Sequence, residues 1–89
     1  METPPLVKIS DFNRLAVLDA VKIRPVRAER NGRYFEVFNS DHVEKILAEF
    51  ESGELSLPVR DFTAALARVK NRIFESERQY GAAYGNANR

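Results

Sequence analysis

The 89-residue chain contains no cysteine and no tryptophan, a single histidine and four glycines. The missing cysteines exclude disulfide bridges, thiolate catalysis and sulfur-ligated metal sites. With so few glycines, two of which are Gly81 and Gly85, the chain has neither a GxGxxG motif nor a Walker A loop for phosphate. No apolar run approaches the length of a membrane-spanning helix, and the first ten residues do not resemble a signal peptide. We therefore expect a cytoplasmic protein with no membrane partner.

Residues that could carry catalysis are few. His42 is the only histidine, and no cysteine or carboxylate cluster accompanies it, whereas a metal site needs several convergent ligands. The serines fall at the ends of predicted elements, where helix capping is their usual role. An active site needs a pocket with a nucleophile, a base and an orienting group, and the sequence offers no such set. We therefore expect no enzymatic activity, no catalytic residue, no metal and no cofactor.

The charge of the chain is segmented although its net value is only +1. Residues 22–40 carry five basic and two acidic side chains, residues 41–59 carry one basic and five acidic, and residues 60–89 carry six basic and three acidic. A near-zero net charge argues against a strongly electrostatic nucleic-acid binder. The segmentation nevertheless predicts a dipolar surface, with an acidic middle between two basic flanks.

The first half of the chain predicts a helix followed by a β-hairpin. Apolar residues at helical spacing indicate a helix over about residues 11–20, with Ser10 as its N-cap. Residues 24–30 and 33–38 have strand character, and Asn31-Gly32 between them is a strong signal for a two-residue type I′ turn. Aromatic residues alternate on both faces of the second strand, which indicates that it is covered on more than one side.

The second half predicts two amphipathic helices. One runs from an N-cap at Ser40 to a C-terminal Gly53, and the other starts at Pro58, which is tolerated in a first helical turn. The apolar stripe of the last helix is the most regular in the chain, and we expect it to anchor the fold with three nearly fully buried residues, Phe62, Leu66 and Val69.

The predicted fold is therefore α+β, in the order helix, β-hairpin, helix, helix. The sequence predicts an N-terminal lead-in of residues 1–9, a single domain of residues 10–78 and a flexible C-terminal tail of residues 79–89. The tail is rich in Gly, Asn and Ala and has no apolar periodicity.

The stretch around the predicted turn is the main candidate for function. Five basic side chains crowd it, and they interleave with Tyr34 and Phe35. Basic ribbons with aromatic residues can track a nucleic-acid backbone. Two further arginines on the last helix could add to the same surface, so the candidate nucleic-acid-binding set is Lys22, Arg24, Arg27, Arg30, Arg33, Arg68 and Arg72. The alternative is a solvated sheet edge, on which charges discourage aggregation and Glu29 and Glu36 pair across the ribbon.

Several short motifs along the chain are shared with a known family: Ser10-Asp11, Glu29 to Gly32, Phe35 to Phe38, Leu47 to Phe50, Phe62, Val69-Lys70 and Ile73-Phe74. Together they resemble a family of short uncharacterised proteins of bacteria, archaea and phages, a domain of unknown function. The resemblance covers residues 7–75 and departs from the family pattern at Pro58 and Val59, where an acidic N-cap and a proline are expected. It implies the fold and a mobile-element setting, and it implies no activity.

Two functions remain open after the sequence. One is a small non-catalytic protein that binds nucleic acid weakly and without reading sequence. The other is a protein-interaction module, such as a phage or mobile-element inhibitor or accessory factor of a host complex. A homodimer through the hairpin edge is compatible with either. The nucleic-acid hypothesis requires the basic residues of the hairpin and of the last helix to share one face.

Overall fold

A computed structural model of the chain describes residues 5–87, with the side chains of all of these except Asn31 and residues 79–87. It confirms the α+β prediction, with three helices packed against a three-stranded antiparallel sheet. No helix within the described range is long and apolar enough to cross a membrane. The elements in chain order are β1 (Leu6–Ile9), α1 (Phe12–Ala20), β2 (Arg27–Asn31), β3 (Arg33–Asn39), α2 (Ser40–Ser52) and α3 (Val59–Ala87).

The sheet contains one strand more than the predicted hairpin. Its order is β1-β3-β2, and β1 runs antiparallel to β3 with Leu6 opposite Asn39 and Ile9 opposite Glu36. The prediction of a lead-in over residues 1–9 overlooked this strand, although Val7 and Ile9 lie on either side of the polar Lys8 at the period of a strand. The third strand has a physical consequence, because a two-stranded ribbon is marginally stable in water.

The hairpin turn lies one residue away from its predicted position. A two-residue Asn31-Gly32 turn would pair Arg30 with Arg33, but Arg30 lies opposite Tyr34 and Asn31 lies opposite Arg33. The loop is therefore centred on Gly32, which has the positive φ of 77° that glycine adopts without a steric cost.

Two of the predicted N-caps are also displaced by one residue. Asp11, not Ser10, caps α1, because its Oδ2 accepts a hydrogen bond of 2.9 Å from the backbone N–H of Arg14. Asn39, not Ser40, occupies the cap position of α2. The N–H of Ser40 instead donates to the carbonyl of Pro5 at 3.0 Å and so ties α2 to the start of β1.

Helix α3 is longer than the sequence pattern suggested. It continues through the predicted flexible tail as far as Ala87, and only residues 88 and 89 of that tail lie outside the described part of the chain. Its first hydrogen bond runs from the N–H of Phe62 to the carbonyl of Pro58. The helix therefore starts at Val59, and Pro58 lies one residue before it and not within the first turn as predicted.

The core lies where α1 and α3 cover one face of the sheet. Leu15 and Leu18 of α1, Phe38 of β3 and Val69 of α3 are completely buried there. The expected burial of Val69 is confirmed, but Phe62 and Leu66 are only half-buried.

Candidate anion-binding cleft

A cleft of about 540 Å³ opens between the C-terminal end of α1, the hairpin and the middle of α3. Part of its lining is apolar, with Leu15, Ile23, Pro25, Ala28 and Phe38. The remaining lining residues are polar, and most are charged: Asp19, Lys22, Arg24, Tyr34, Glu36, Arg68 and Arg72.

The alternation of β3 decides which side chains reach the cleft. Tyr34, Glu36 and Phe38 share the face of the strand that packs under the helices, and the intervening residues point to the other side of the sheet. Arg68 and Arg72 lie four residues apart on α3, so both project from the same border of that helix.

Glu36 is a buried carboxylate at the bottom of this arrangement, with 1% of its surface exposed. Arg72 holds it through two hydrogen bonds, from Nε to Oε2 at 3.0 Å and from Nη2 to Oε1 at 3.3 Å. The hydroxyl of Tyr34 donates a third hydrogen bond to Oε2. A buried charge is tolerated when it is paired and hydrogen-bonded in this way.

Asp19 extends the network toward solvent. Its Oδ2 accepts from Nε of Arg68 at 2.7 Å, and its Oδ1 accepts from Nη1 of Arg72 at 3.1 Å. Burial acts to lower the pKa of Arg72, but the hydrogen bonds and charges of Glu36 and Asp19 outweigh it, so that the pKa is raised above its usual value. The guanidinium of Arg72 therefore stays charged.

Burial also raises the pKa of Tyr34 to about 12, and the hydrogen bond to Glu36 acts in the same direction. Ionisation would remove the proton that the phenol donates in this hydrogen bond, and it would also place a phenolate beside the carboxylate of Glu36, so both effects raise the pKa of Tyr34. Tyr34 therefore acts at neutral pH as a hydrogen-bond donor that supports Glu36.

The rim of the cleft carries cations that the network does not neutralise. Within residues 5–87, Lys22 and Arg24 make no ion pair or side-chain hydrogen bond, and Arg68 is 55% exposed. Four cations line the cleft against the two carboxylates of Asp19 and Glu36, which leaves a surplus of two positive charges.

The backbone places Lys22 at the rim in an unusual conformation. Its N–H donates to the carbonyl of Asp19 at 3.0 Å, and that of Ile23 donates to the carbonyl of Leu18 at 2.9 Å, the pattern of a Schellman motif at the end of α1. Glycine normally occupies the left-handed position of this motif. Lys22 adopts it with φ 65° and is the only residue other than glycine with a positive φ in the described chain. Such a conformation costs about 1 kcal/mol or more in a residue with a side chain.

The other predicted binding residues do not lie in the cleft. Arg30 is directed at α3, where its Nε donates to Oγ of Ser76 at 3.3 Å and its side chain is only 14% exposed. Arg27 is on the opposite face of the sheet and pairs with Glu29. Arg33 is exposed beside the turn. The structure thus brings together Lys22, Arg24, Arg68 and Arg72 and separates the other three from them.

We call the opposite side of the sheet the outer face and define it by Lys8, Arg27, Glu29, Phe35 and Val37. The strand register places Lys8 and Arg27 on either side of Val37, and Glu29 opposite Phe35. The ammonium of Lys8 lies 5.1 Å from the centre of the Phe35 ring, within range of a cation–π interaction. The charges of this face therefore have partners within the face itself.

Sequence reasoning missed the two carboxylates of the cleft. It expected Glu29 and Glu36 each to take part in pairing across an exposed ribbon, yet the register places Ala28 opposite Glu36 and Phe35 opposite Glu29. A signal was present, because a single charge between Tyr34 and Phe38 in a strongly apolar strand must find a buried partner. Arginines four residues apart on the last helix could supply one.

A second concavity, which we call the apolar groove, lies under the segment that joins α2 to α3. It encloses about 280 Å³, and Val59 at its edge is 80% exposed. Its six lining residues are all apolar: Val17, Phe50, Leu55, Leu57, Val59 and Phe62.

Neither concavity holds a cluster of metal-ligating side chains, since no group of three or more His, Cys, Asp or Glu converges anywhere in the described residues. The chain matches no protein-family model, and it has no significant match among curated proteins or solved structures. The family resemblance of the sequence therefore stays a prediction.

Proposed function

We propose that this protein binds the phosphate backbone of nucleic acid, weakly and without reading sequence, through the rim of the cleft. The observation that carries the proposal is the convergence of Lys22, Arg24 and Arg68 on one concave surface, where the first two have no ion-pair partner in the described chain. The proposal moves the binding surface predicted from the sequence away from the turn and toward the base of the hairpin.

The chemistry of the three side chains suits phosphate oxygens. An arginine guanidinium presents several donors in a planar fork that matches phosphate, and a lysine contributes a flexible point charge. Arg68 commits its Nε to Asp19 and is otherwise exposed, so the outer edge of its guanidinium faces solvent. Lys22 and Arg24 flank the same opening from the end of α1.

The arrangement also limits affinity and specificity. A surplus of two positive charges neutralises few phosphates. In a plot of log binding constant against log salt concentration, we expect a slope of about −0.7 per phosphate contact on a single strand. The polar groups deepest in the cleft, Glu36, Arg72 and Tyr34, already bond to one another. They are therefore not available to read base edges.

The test is a fluorescence-anisotropy titration with random-sequence oligonucleotides at low and at physiological salt. The test variant is Lys22→Glu/Arg24→Glu, and the matched control is Lys45→Glu/Arg60→Glu, which changes the same residue types at exposed sites outside the cleft. We expect the wild type and the control to bind alike at low salt and the cleft variant to lose binding. Equal loss in both variants, or no binding by the wild type, would contradict the proposal.

The apolar groove favours a second candidate function, a protein-interaction module. Its six lining residues are all apolar, so the groove offers a small concave site for an apolar side chain of a partner. A Val59→Glu substitution alters the exposed edge of the groove. In a pull-down from the native host, a specific protein partner bound by the wild type and lost with Val59→Glu would favour this function over nucleic-acid binding.

A further inference from the structure

We infer that the cleft accepts one unpaired nucleotide of a single strand, with its phosphate on the rim and its base against the apolar and aromatic lining. This inference rests on the proposed function and adds the class of nucleic acid to it. Phosphate binding alone would need only an exposed basic surface, whereas the cations here surround a concavity.

The size and lining of the cleft are suited to a ligand with both an anionic and an apolar part. Its volume of about 540 Å³ falls in the usual range for small-molecule sites, roughly 300–1,000 Å³. Ile23, Pro25 and Ala28 form an apolar part of the lining beside Lys22 and Arg24, which have no ion-pair partner among residues 5–87. A stacked base pair inside a duplex cannot turn its faces toward such a lining, but an unpaired base can.

The ring of Tyr34 supplies the aromatic surface that base stacking requires. It lines the cleft, it is half-buried, and its hydroxyl is fixed by the hydrogen bond to Glu36. Stacking on an aromatic side chain is a recurrent device of single-strand binding, and it tolerates any base because every base has a π face. The absence of base reading argued above and the presence of a stacking surface therefore agree.

Three probes of matched length test the inference: a single-stranded oligonucleotide, the same strand with abasic sites, and its duplex. A mononucleotide with the same label is the fourth probe. We expect the intact strand to bind about tenfold more tightly than the abasic strand and the duplex, since stacking contributes about that factor. The mononucleotide should bind more weakly than the strand, because it lacks the neighbouring phosphates.

A cleft-filling variant gives the structural control. Ala28 is exposed and projects into the cleft, so Ala28→Leu occupies the space of the base and leaves the rim cations in place. Ala67→Leu adds the same bulk at an exposed position of α3 that does not line the cleft. We expect Ala28→Leu to bind the intact and the abasic strand equally and Ala67→Leu to retain the wild-type preference, with both variants melting near the wild-type temperature.

The outcomes separate this inference from the proposed function. Equal binding of the intact and abasic strands by the wild type would overturn the nucleotide site and leave phosphate binding standing. Mononucleotide affinity equal to that of the strand would overturn the assignment to a strand. No binding of any probe at low salt would remove the proposed function and the inference together.

Discussion

The two sides of the sheet carry similar types of residue but differ in whether their cations have partners. The side of the sheet under the cleft carries the carboxylate of Glu36 and the ring of Tyr34, and its cations come from the end of α1, the following segment and α3. The outer face carries its cations, its carboxylate and its aromatic ring on the strands themselves. On the outer face, Arg27 pairs with Glu29 and Lys8 lies over Phe35. In the cleft, the carboxylates are held by Arg68 and Arg72, while Lys22 and Arg24 remain unpaired in the described chain.

The difference shows that the number of cations in a segment predicts little about binding. Because side chains alternate along β2, Arg27 and Arg30 lie on opposite sides of the sheet. Arg30 is hydrogen-bonded to Ser76 of α3 and is therefore directed away from the cleft. The cations that stay available come from the end of α1 and the segment that follows it. A cation is therefore available for binding when it lies at a concave surface and no carboxylate pairs with it.

The largest expected effect separates the two faces by stability. Arg72→Met leaves the buried carboxylate of Glu36 without its bidentate partner, which should reduce the free energy of unfolding by ~3–5 kcal/mol. Arg27→Met on the outer face breaks an exposed pair, whose loss should cost no more than ~1 kcal/mol. Urea denaturation of both variants measures the difference.

A double variant tests the physical cause. Glu36→Leu/Arg72→Met removes both charges from the buried site and should recover much of the stability that Arg72→Met loses, because a well-packed apolar pair replaces a buried ion pair at little cost. If the double variant is no more stable than Arg72→Met alone, the unpaired carboxylate is not the reason for the loss.

Much of the fold followed from the sequence because its signals are local. The stripe through Val43 predicted α2, Gly53 predicted the end of that helix, and the turn residues predicted the hairpin to within one residue. Strand β1 was not predicted because it has only four residues, follows two prolines and is not joined to a neighbouring strand by a short turn. Its partner is β3, about thirty residues away, and only the tertiary pairing identifies it.

The candidate site could be predicted only in part. The sequence identified Lys22, Arg24, Arg68 and Arg72 as candidates, but it grouped them with Arg27, Arg30 and Arg33, which the structure places elsewhere. Which arginine meets which carboxylate depends on how α3 lies across the sheet. Sequence spacing carries no information on that crossing.

A second pair of variants compares a strained backbone position beside the cleft with an unstrained strand position on the outer face. Lys22→Gly relieves the left-handed conformation at the end of α1 and should raise the free energy of unfolding by about 1 kcal/mol. Lys8→Gly on the outer face weakens a strand and should lower it by about 0.5–1 kcal/mol. Thermal melts of the two variants should therefore shift in opposite directions. A destabilised Lys22→Gly protein would show that the lysine side chain contributes more through packing than its backbone costs.

A smaller effect is expected in the dependence of binding affinity on salt concentration. Lys22→Gln should reduce the slope of binding affinity against salt concentration by about 0.7 on a single strand, the value of one lost phosphate contact. Lys8→Gln removes one charge from the outer face and should leave the slope unchanged. Titrations at three or more salt concentrations determine both slopes, and an equal change in the two variants would mean that the charge acts at long range and not by contact.

The smallest effect appears only at alkaline pH, where the two adjacent aromatic residues of β3 differ. Tyr34 on the cleft side has a pKa raised from 10.0 to about 12, whereas Phe35 on the outer side cannot ionise. Between these two values the folded chain keeps a proton on Tyr34 that the unfolded chain releases, so stability falls as the pH rises through this window and is unaffected below it. Tyr34→Phe should lack this component, and denaturation of both proteins across the window measures it. Parallel curves for the wild type and Tyr34→Phe would mean that the phenol is not sequestered beside Glu36, and an ultraviolet titration would then show Tyr34 ionising with an ordinary pKa.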